Sequence, residues 1–215
     1  MVNLENKFDI IIIGGGPGGY VAAIRASQLG MSVAIVEKES LGGICLNWGC
    51  IPTKALLRTS EIKHIIDNAE KYGFLIPNYS INFKKIIQRS REVSNKLSSG
   101  VEHLMKKNKV NVFKGFGKIT NENKNLKTVE VILNSNKKSI FLSATNIILA
   151  TGASSKNLPF LSSDGKNVWD YKSAMVPNKL PKSLIVIGSG AIGMEFASFY
   201  NDLGCKVTIL EVQKS

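Results

Sequence analysis

Short unbroken apolar runs and longer helical repeats alternate along this chain. "FDIIII" (8–13) and "SVAIVE" (32–37) read as buried strands. Between them "YVAAIRASQLG" carries apolar residues at helical spacing and stops at Gly30. The pattern is helical again from about Cys50 to Tyr72, with Pro52 in a first turn, where proline is tolerated. A long basic helix follows over 83–108, and Ile86, Val93, Leu97, Val101 and Leu104 form its apolar stripe. Alternation between Asn, Lys and Gly turns predicts a small antiparallel meander over 110–145, after which "NIILATG" (146–152) returns to a buried strand. A Ser-, Pro-, Asn- and Lys-rich crossover leads to "SLIVIGSGAIGMEFASFYNDLGCKVTILE", a second strand–helix–strand unit.

The two units repeat one motif. Gly14, Gly16 and Gly19 give G-x-G-x-x-G after a strand, and Gly188, Gly190 and Gly193 give it again. Glu37 and Glu211 end the second strands, each 23 residues beyond the first glycine. The first glycine makes a tight turn, the second lets backbone approach a pyrophosphate, and the third packs helix on strand. The helix N-terminus then offers N–H groups and a positive dipole to phosphates, and the acid can accept from a ribose diol. Two such units predict two dinucleotide sites. Glu211 would repel a 2′-phosphate, and only Val212, Gln213 and Lys214 follow closely, so NAD is expected over NADP.

Composition changes little in this picture. The chain has 215 residues, 44% hydrophobic, and a net charge of +12. Only four of its basic residues are Arg, and no stretch of the sequence groups Arg with aromatics for base stacking, so no nucleic-acid partner is expected. The longest apolar run near the N-terminus, Ile10 to Ile13, is far too short for a membrane span, and the first nine residues lack a leader pattern. A cytoplasmic chain with no membrane partner is the expectation.

Two of the three cysteines, Cys45 and Cys50, stand five apart. A metal site needs three or four ligands, and the chain's two histidines, His64 and His103, lie in unrelated helical stretches. No metal is expected. In a reducing compartment an isolated pair favours chemistry over structure, and a disulfide is feasible if the helix start is distorted. Cys205, before "KVTIL", reads as an inert core thiol.

"GGICLNWGCIPTKALL" (42–57) resembles the redox-active segment of the pyridine nucleotide–disulfide oxidoreductases, and most of all that of their dihydrolipoamide-oxidising branch. "IIIGGGPGGYVAAIRASQLG", "ILATGA" and "IVIGSGAIGMEFAS" resemble the family's FAD, second flavin and NAD motifs. The resemblance implies an α/β chain: an FAD-binding Rossmann-like parallel sheet with a small antiparallel meander over 1–153, a crossover over 154–182, and the start of a second Rossmann-like, NAD-binding domain over 183–215. It implies FAD and NAD as cofactors, with Cys50 the charge-transfer thiol and Cys45 the interchange thiol. Lys54 would approach the flavin and pair with Glu195, an acid on an otherwise apolar helix face. Gly43, Gly117, Thr151 and Gly152 would contact FAD through backbone, while Ile44 stands where many relatives have Thr.

Electrons would pass from dihydrolipoamide to the Cys45–Cys50 disulfide, then to FAD and NAD. The implied partners are the lipoyl domain of a 2-oxo acid dehydrogenase complex and, at full length, a second copy of the enzyme. Two alternatives stay open: a glutathione- or mercuric-reductase-type enzyme, and an inactive flavin-binding fragment. The family chain is more than twice as long and supplies its acid–base His elsewhere, so this chain alone is expected to be inactive.

Overall fold

The computed structural model describes residues 6–122, 126–156 and 158–213. The order is β1 (Lys7–Ile13), α1 (Pro17–Gln28), β2 (Val33–Glu37), α2 (Gly43–Trp48), α3 (Cys50–Asp67), a 3₁₀ turn (Ala69–Tyr72) and α4 (Phe83–Lys107). Then come β3 (Asn111–Glu122), β4 (Lys127–Leu133), β5 (Ser139–Leu149), α5 (Tyr171–Met175), β6 (Ser183–Ile187), α6 (Ala191–Asp202) and β7 (Lys206–Leu210). These residues pack as two compact units. One comprises Met1–Asn47 and Asn95–Ser154, the other Trp48–Ser94 and Ser155–Ser215.

In the first unit β1 pairs in parallel with both β2 and β5, and β2 with the first residues of β3, giving the order β3-β2-β1-β5. From Gly115 onward β3 leaves β2 and pairs antiparallel with β4, which pairs antiparallel with β5. Two long strands therefore serve both a parallel sheet and a meander. The α/β class with its meander is as expected from the sequence.

The division of the strands is not. The meander's last strand and "NIIL" are one continuous β5, because Ser143 and Ala144 bond to β4 and β1 alike. "NIIL" is also not buried. It lies at the sheet edge, with β1 as its only strand partner there among the described residues, and Leu149 is 64% exposed.

The core of this unit fills the space between parallel sheet and meander. Ile11, Ile13, Ala34 and Val36 meet Val129, Val131, Leu142 and Ala144. The alternate positions Ile10, Ile12, Val33 and Ile35 are buried too. Strands covered on both faces read as continuous apolar runs, which is why β1 and β2 could be placed from sequence.

The helix α4 differs from its predicted stripe. Leu97 and Leu104 are exposed, and the buried positions are Ser90, Ser94, Val101 and Met105. Two of the four buried positions are serines, which apolar counting cannot detect. The Ser90 hydroxyl donates to the Ile87 carbonyl and so is satisfied within the helix.

In the second unit β6 and β7 form a parallel pair, and α6 crosses between them. Its core joins Leu56 of α3 to Met175 of α5, Phe196, Phe199, Tyr200 and Leu203. Cys205 is buried in that cluster, and burial pushes its thiol pKa up. The short α5, not foreseen in the crossover, is capped by the Asp170 carboxylate, which accepts from Ser173 N–H at 2.8 Å.

The glycine turns are steric necessities to different degrees. A Cβ at Gly19 would lie 1.8 Å from the Gly14 carbonyl oxygen, whereas one at Gly16 would meet nothing nearer than 3.8 Å. Gly16 is extended, at φ −74° and ψ −174°, which any residue adopts. Gly19→Ala is therefore expected to destabilise the chain by about 2 kcal/mol or more, through a clash with backbone. Gly16→Ala should cost about 1 kcal/mol or less. Urea midpoints of the two variants check this, and equal losses would contradict it.

Candidate functional site

The first glycine loop is held from three sides. Gly14, at φ +107°, donates its N–H to the Val36 carbonyl at 2.8 Å, and a Cβ there would strike the Ala150 carbonyl oxygen at 2.1 Å. Gly15 N–H donates to Oε2 of Glu37 at 2.6 Å. The Gly42 N–H donates to the Gly15 carbonyl at 2.8 Å, and Gly43, at φ +58°, brings its backbone so near that a Cβ would lie 2.6 Å from Gly16 Cα. Gly16 is the N-cap of α1 with Pro17 next, and no side chain caps the helix. The result is a backbone-lined cradle at a helix N-terminus, the arrangement that binds phosphate.

These residues fit a dinucleotide. A Cβ at Gly16 would meet only Gly43 Cα, at an ordinary contact distance of 3.8 Å, while Gly14, Gly19 and Gly43 are required by close backbone approach. Gly117, on β3, packs against Val36 and Ile13 at the strand ends, where a Cβ would meet Val36 at 3.2 Å. Thr151 and Gly152 are exposed just beyond β5, and Ala150 N–H donates to the Ile13 carbonyl. Of the nine residues assigned from sequence to the first cofactor, all but Lys54 lie in the first unit.

The second loop repeats the first in detail. Gly188, at φ +98°, donates to the Leu210 carbonyl at 2.8 Å, and a Cβ at Gly193 would lie 2.6 Å from the Gly188 carbonyl oxygen. Gly190 caps α6 without a side chain. Glu211 Oε2 accepts from Ser189 N–H and Oγ, and Oε1 accepts from the N–H groups of Val212 and Gln213.

Here the two carboxylates differ. An ionised carboxylate has about four acceptor sites. Glu37 accepts one bond on each oxygen, from Gly15 and Glu39 N–H, and keeps capacity for a diol. Glu211 has four donors already. A ribose at Glu211 must displace one of them, and the Ser189 hydroxyl is the movable one. Lys214 lies outside the described residues.

The redox segment spans two helices instead of one. Cys45 lies within the short α2, and Cys50 opens α3 after a break at Gly49 (φ −143°, ψ −119°). The short α2 was missed because six residues are too few for a period. Cys50 is exposed, and Cys45 is half-buried. Among the described residues no group of three or more His, Cys, Asp or Glu is placed to hold a metal ion. His64 and His103 are exposed on α3 and α4.

Lys54, one turn into α3, forms an ion pair and hydrogen bond with Glu195 of α6. The pair expected from an acid on an apolar face is present. Its burial is not, since the Lys54 side chain is 62% exposed and that of Glu195 29%. Lys54 also lines a cleft of about 490 Å³ beside α6, with Arg58, Ser198 and Asp202.

With this geometry in place, the relatives of the chain can be set beside it. Residues 8–215 match the pyridine nucleotide-disulphide oxidoreductase family. The chain belongs to that family. Dihydrolipoyl dehydrogenase of Zymomonas mobilis is 53% identical over 208 residues, covering 97% of this chain and 44% of the relative. Dihydrolipoyl dehydrogenase of Rhizobium etli is 47% identical over 97% of this chain and 46% of its own length. The crystal structure of LpdA from Mycobacterium tuberculosis superposes with a TM-score of 0.88 at 26% identity, over 96% of this chain and 44% of that one. The HOCl-induced flavoprotein disulfide reductase RclA of Escherichia coli gives 0.79 at 29%, over 96% and 42%. The chain thus spans less than half the length of these oxidoreductases.

Two outcomes follow from the site. Glu195→Ala is expected to cost only about 0.2–1 kcal/mol, the range of exposed pairs, in place of the several kcal/mol a buried pair would imply. Thermal melts of the variant test this. The four donors hold the Glu211 carboxyl down at about 2 against an ordinary 4.5, led by Gln213 and Ser189 N–H. A depressed folded value means the loop clasp contributes above pH 4.5 and is lost as pH falls to about 2. A carboxyl NMR titration should show that low midpoint, and one near 4.5 would refute the clasp.

Proposed function

We propose that this chain is the flavin- and redox-active portion of a dihydrolipoamide dehydrogenase. One observation supports it above others: 53% identity, over 97% of the chain, to a relative named dihydrolipoyl dehydrogenase. In this reading 1–153 is the FAD module, 154–182 the crossover and 183–215 the first part of an NAD module.

The chemistry assigned to the chain's own residues is a thiol–disulfide exchange. A Cys45–Cys50 disulfide accepts two electrons from dihydrolipoamide. The substrate's two S–H bonds give one S–S bond, the pair's S–S bond breaks, and two protons pass to the pair or to solvent. The family resemblance assigns Cys45 the interchange role and Cys50 the charge-transfer role, and Cys50 is the more exposed of the two here. Bound FAD and NAD supply the two-electron chemistry that restores the disulfide.

Gly14, Gly16, Gly19, Glu37, Gly43, Gly117, Thr151 and Gly152 would hold the flavin nucleotide, and the resemblance assigns Lys54, paired with Glu195, to the flavin as well. Gly188, Gly190, Gly193 and Glu211 would hold NAD. The substrate-bearing partner is the lipoyl domain of a 2-oxo acid dehydrogenase complex, and the complete enzyme is a homodimer in the cytoplasm. Among the described residues no helix is long and apolar enough to cross a membrane.

The test is made on the complete enzyme containing this sequence. Cys45→Ser should retain FAD, seen in the visible spectrum, and lose dihydrolipoamide–NAD turnover to background. NAD should outperform NADP in kcat/KM, because the Glu211 charge opposes a 2′-phosphate. Normal turnover by Cys45→Ser would end the disulfide assignment, and an NADP preference would end the role given to Glu211.

A further inference from the structure

Trp48 sits between the two cysteines, at the position that the segment's resemblance leaves open. It is the last residue of α2, followed by the Gly49 break and by Cys50 at the start of α3. Its ring packs against the core around Leu56, Met175 and Tyr200. The guanidinium carbon of Arg91, from α4, lies 4.7 Å from the ring centre, and Nζ of Lys172, from α5, lies 5.5 Å from it. Both distances are within cation–π range.

Arg91 is itself fixed. Its Nη2 donates to Met175 Sδ at 3.6 Å, and Met175 is fully buried. Burial lowers the Arg91 pKa from its usual value, as expected of a partly desolvated cation, and desolvation strengthens the attraction of a cation to a ring. Two cations from two helices and one apolar core thus converge on one side chain of the redox segment.

We propose that Trp48, held by Arg91 and Lys172, is a positioning residue that sets the dithiol–disulfide equilibrium of Cys45 and Cys50. The proposal rests on the reading of those cysteines as a redox pair. Closing a disulfide costs less entropy when the residues between the thiols are already immobile. Anchoring Trp48 fixes the chain at the turn itself, and the Gly49 carbonyl accepts from the Thr53 N–H at 3.0 Å, so the link between the thiols is held from both ends. Releasing Trp48 gives the dithiol form more freedom and so shifts the equilibrium toward thiols.

The experiment equilibrates the 215-residue chain with glutathione buffers of graded ratio. Oxidised glutathione takes two electrons and two protons from the cysteine thiols, giving two reduced glutathiones and the Cys45–Cys50 disulfide. The mixture is acid-quenched and alkylated, and the disulfide is counted by peptide mass mapping, with melts as a control for folding. Trp48→Leu is expected to lower the equilibrium constant for the disulfide about tenfold, or about 30 mV for a two-electron couple. Arg91→Met should lower it about threefold, and Trp48→Phe, which keeps a ring, should stay within about threefold of the parent.

A folded Trp48→Leu within twofold of the parent overturns the proposal, as does Trp48→Phe shifting as far as Trp48→Leu. If Trp48→Leu does not fold, Arg91→Met and Lys172→Met decide on the same measure, and no shift in either overturns it. Absence of any Cys45–Cys50 disulfide in the parent chain would instead sink the redox-pair reading, and this inference with it.

Discussion

The carbonyl oxygen of Gly14 occupies the space that a side chain on Gly19 would need. That contact draws the first turn of α1 down onto the end of β1, and the direction of the helix follows from it. Gly14 can turn there because its φ is +107°, a value that L side chains rarely adopt. Once helix and strand meet in this way, the tip of β2 comes level with the loop. Glu37 can then reach back to the Gly15 N–H while its neighbour Val36 accepts from Gly14. The N–H groups of the first turn of α1 have no helical acceptors, and at a helix N-terminus an anion is favoured. A steric contact between two glycines thus ends as an electrostatic property of a cradle.

The same motif yields unequal burial in its two copies, which separates what the motif dictates from what its neighbours supply. Ile11 and Ile13 precede Gly14 by the same steps as Ile185 and Ile187 precede Gly188. The first two are 0% and 7% exposed, and the second two 64% and 54%. Backbone geometry is shared, since both turns bond to the second strand and both carboxylates clasp the second loop residue. The difference lies in pairing: β1 has a strand on each side and the meander over one face, whereas β6 pairs with β7 alone among the described residues. Local sequence specifies the turn, and long-range partners specify the burial.

That separation also explains which parts of the structure were legible in the sequence. β1, α1, β2, β6, α6 and β7 carry short periods and glycine stops, so their places followed from residue order. The pairing of Lys54 with Glu195 was legible because an acid on an apolar face needs a partner. Its exposure was not, because exposure depends on what else packs there. β5 was misdivided, and the parallel start of β3 missed, because one strand can serve two sheets, and nothing in a run such as "SIFLSATNIIL" marks where its partner changes. The buried serines of α4 were invisible to an apolar count. Trp48 was passed over because its role comes from Arg91 and Lys172, 43 and 124 residues further along the chain.

The break at Gly49 gives the spacing of the two cysteines a physical sense. In an unbroken α-helix, residues five apart are rotated about 140° around the axis, so their side chains point to different faces. A C-x₄-C pair on one continuous helix could not close a ring. Ending α2 at Trp48 and restarting at Cys50 removes that rotation as a constraint, and glycine at the join supplies a residue without a side chain. The restart has a second effect, since Cys50 becomes the first residue of an 18-residue helix and lies at its positive end. Pro52 reinforces the restart, as it has no N–H to offer and fits the first turn, where N–H groups lack helical partners. Tryptophan, glycine, cysteine and proline in this order therefore end one helix against a core, free one joint, and begin the next helix with a sulfur at its positive end.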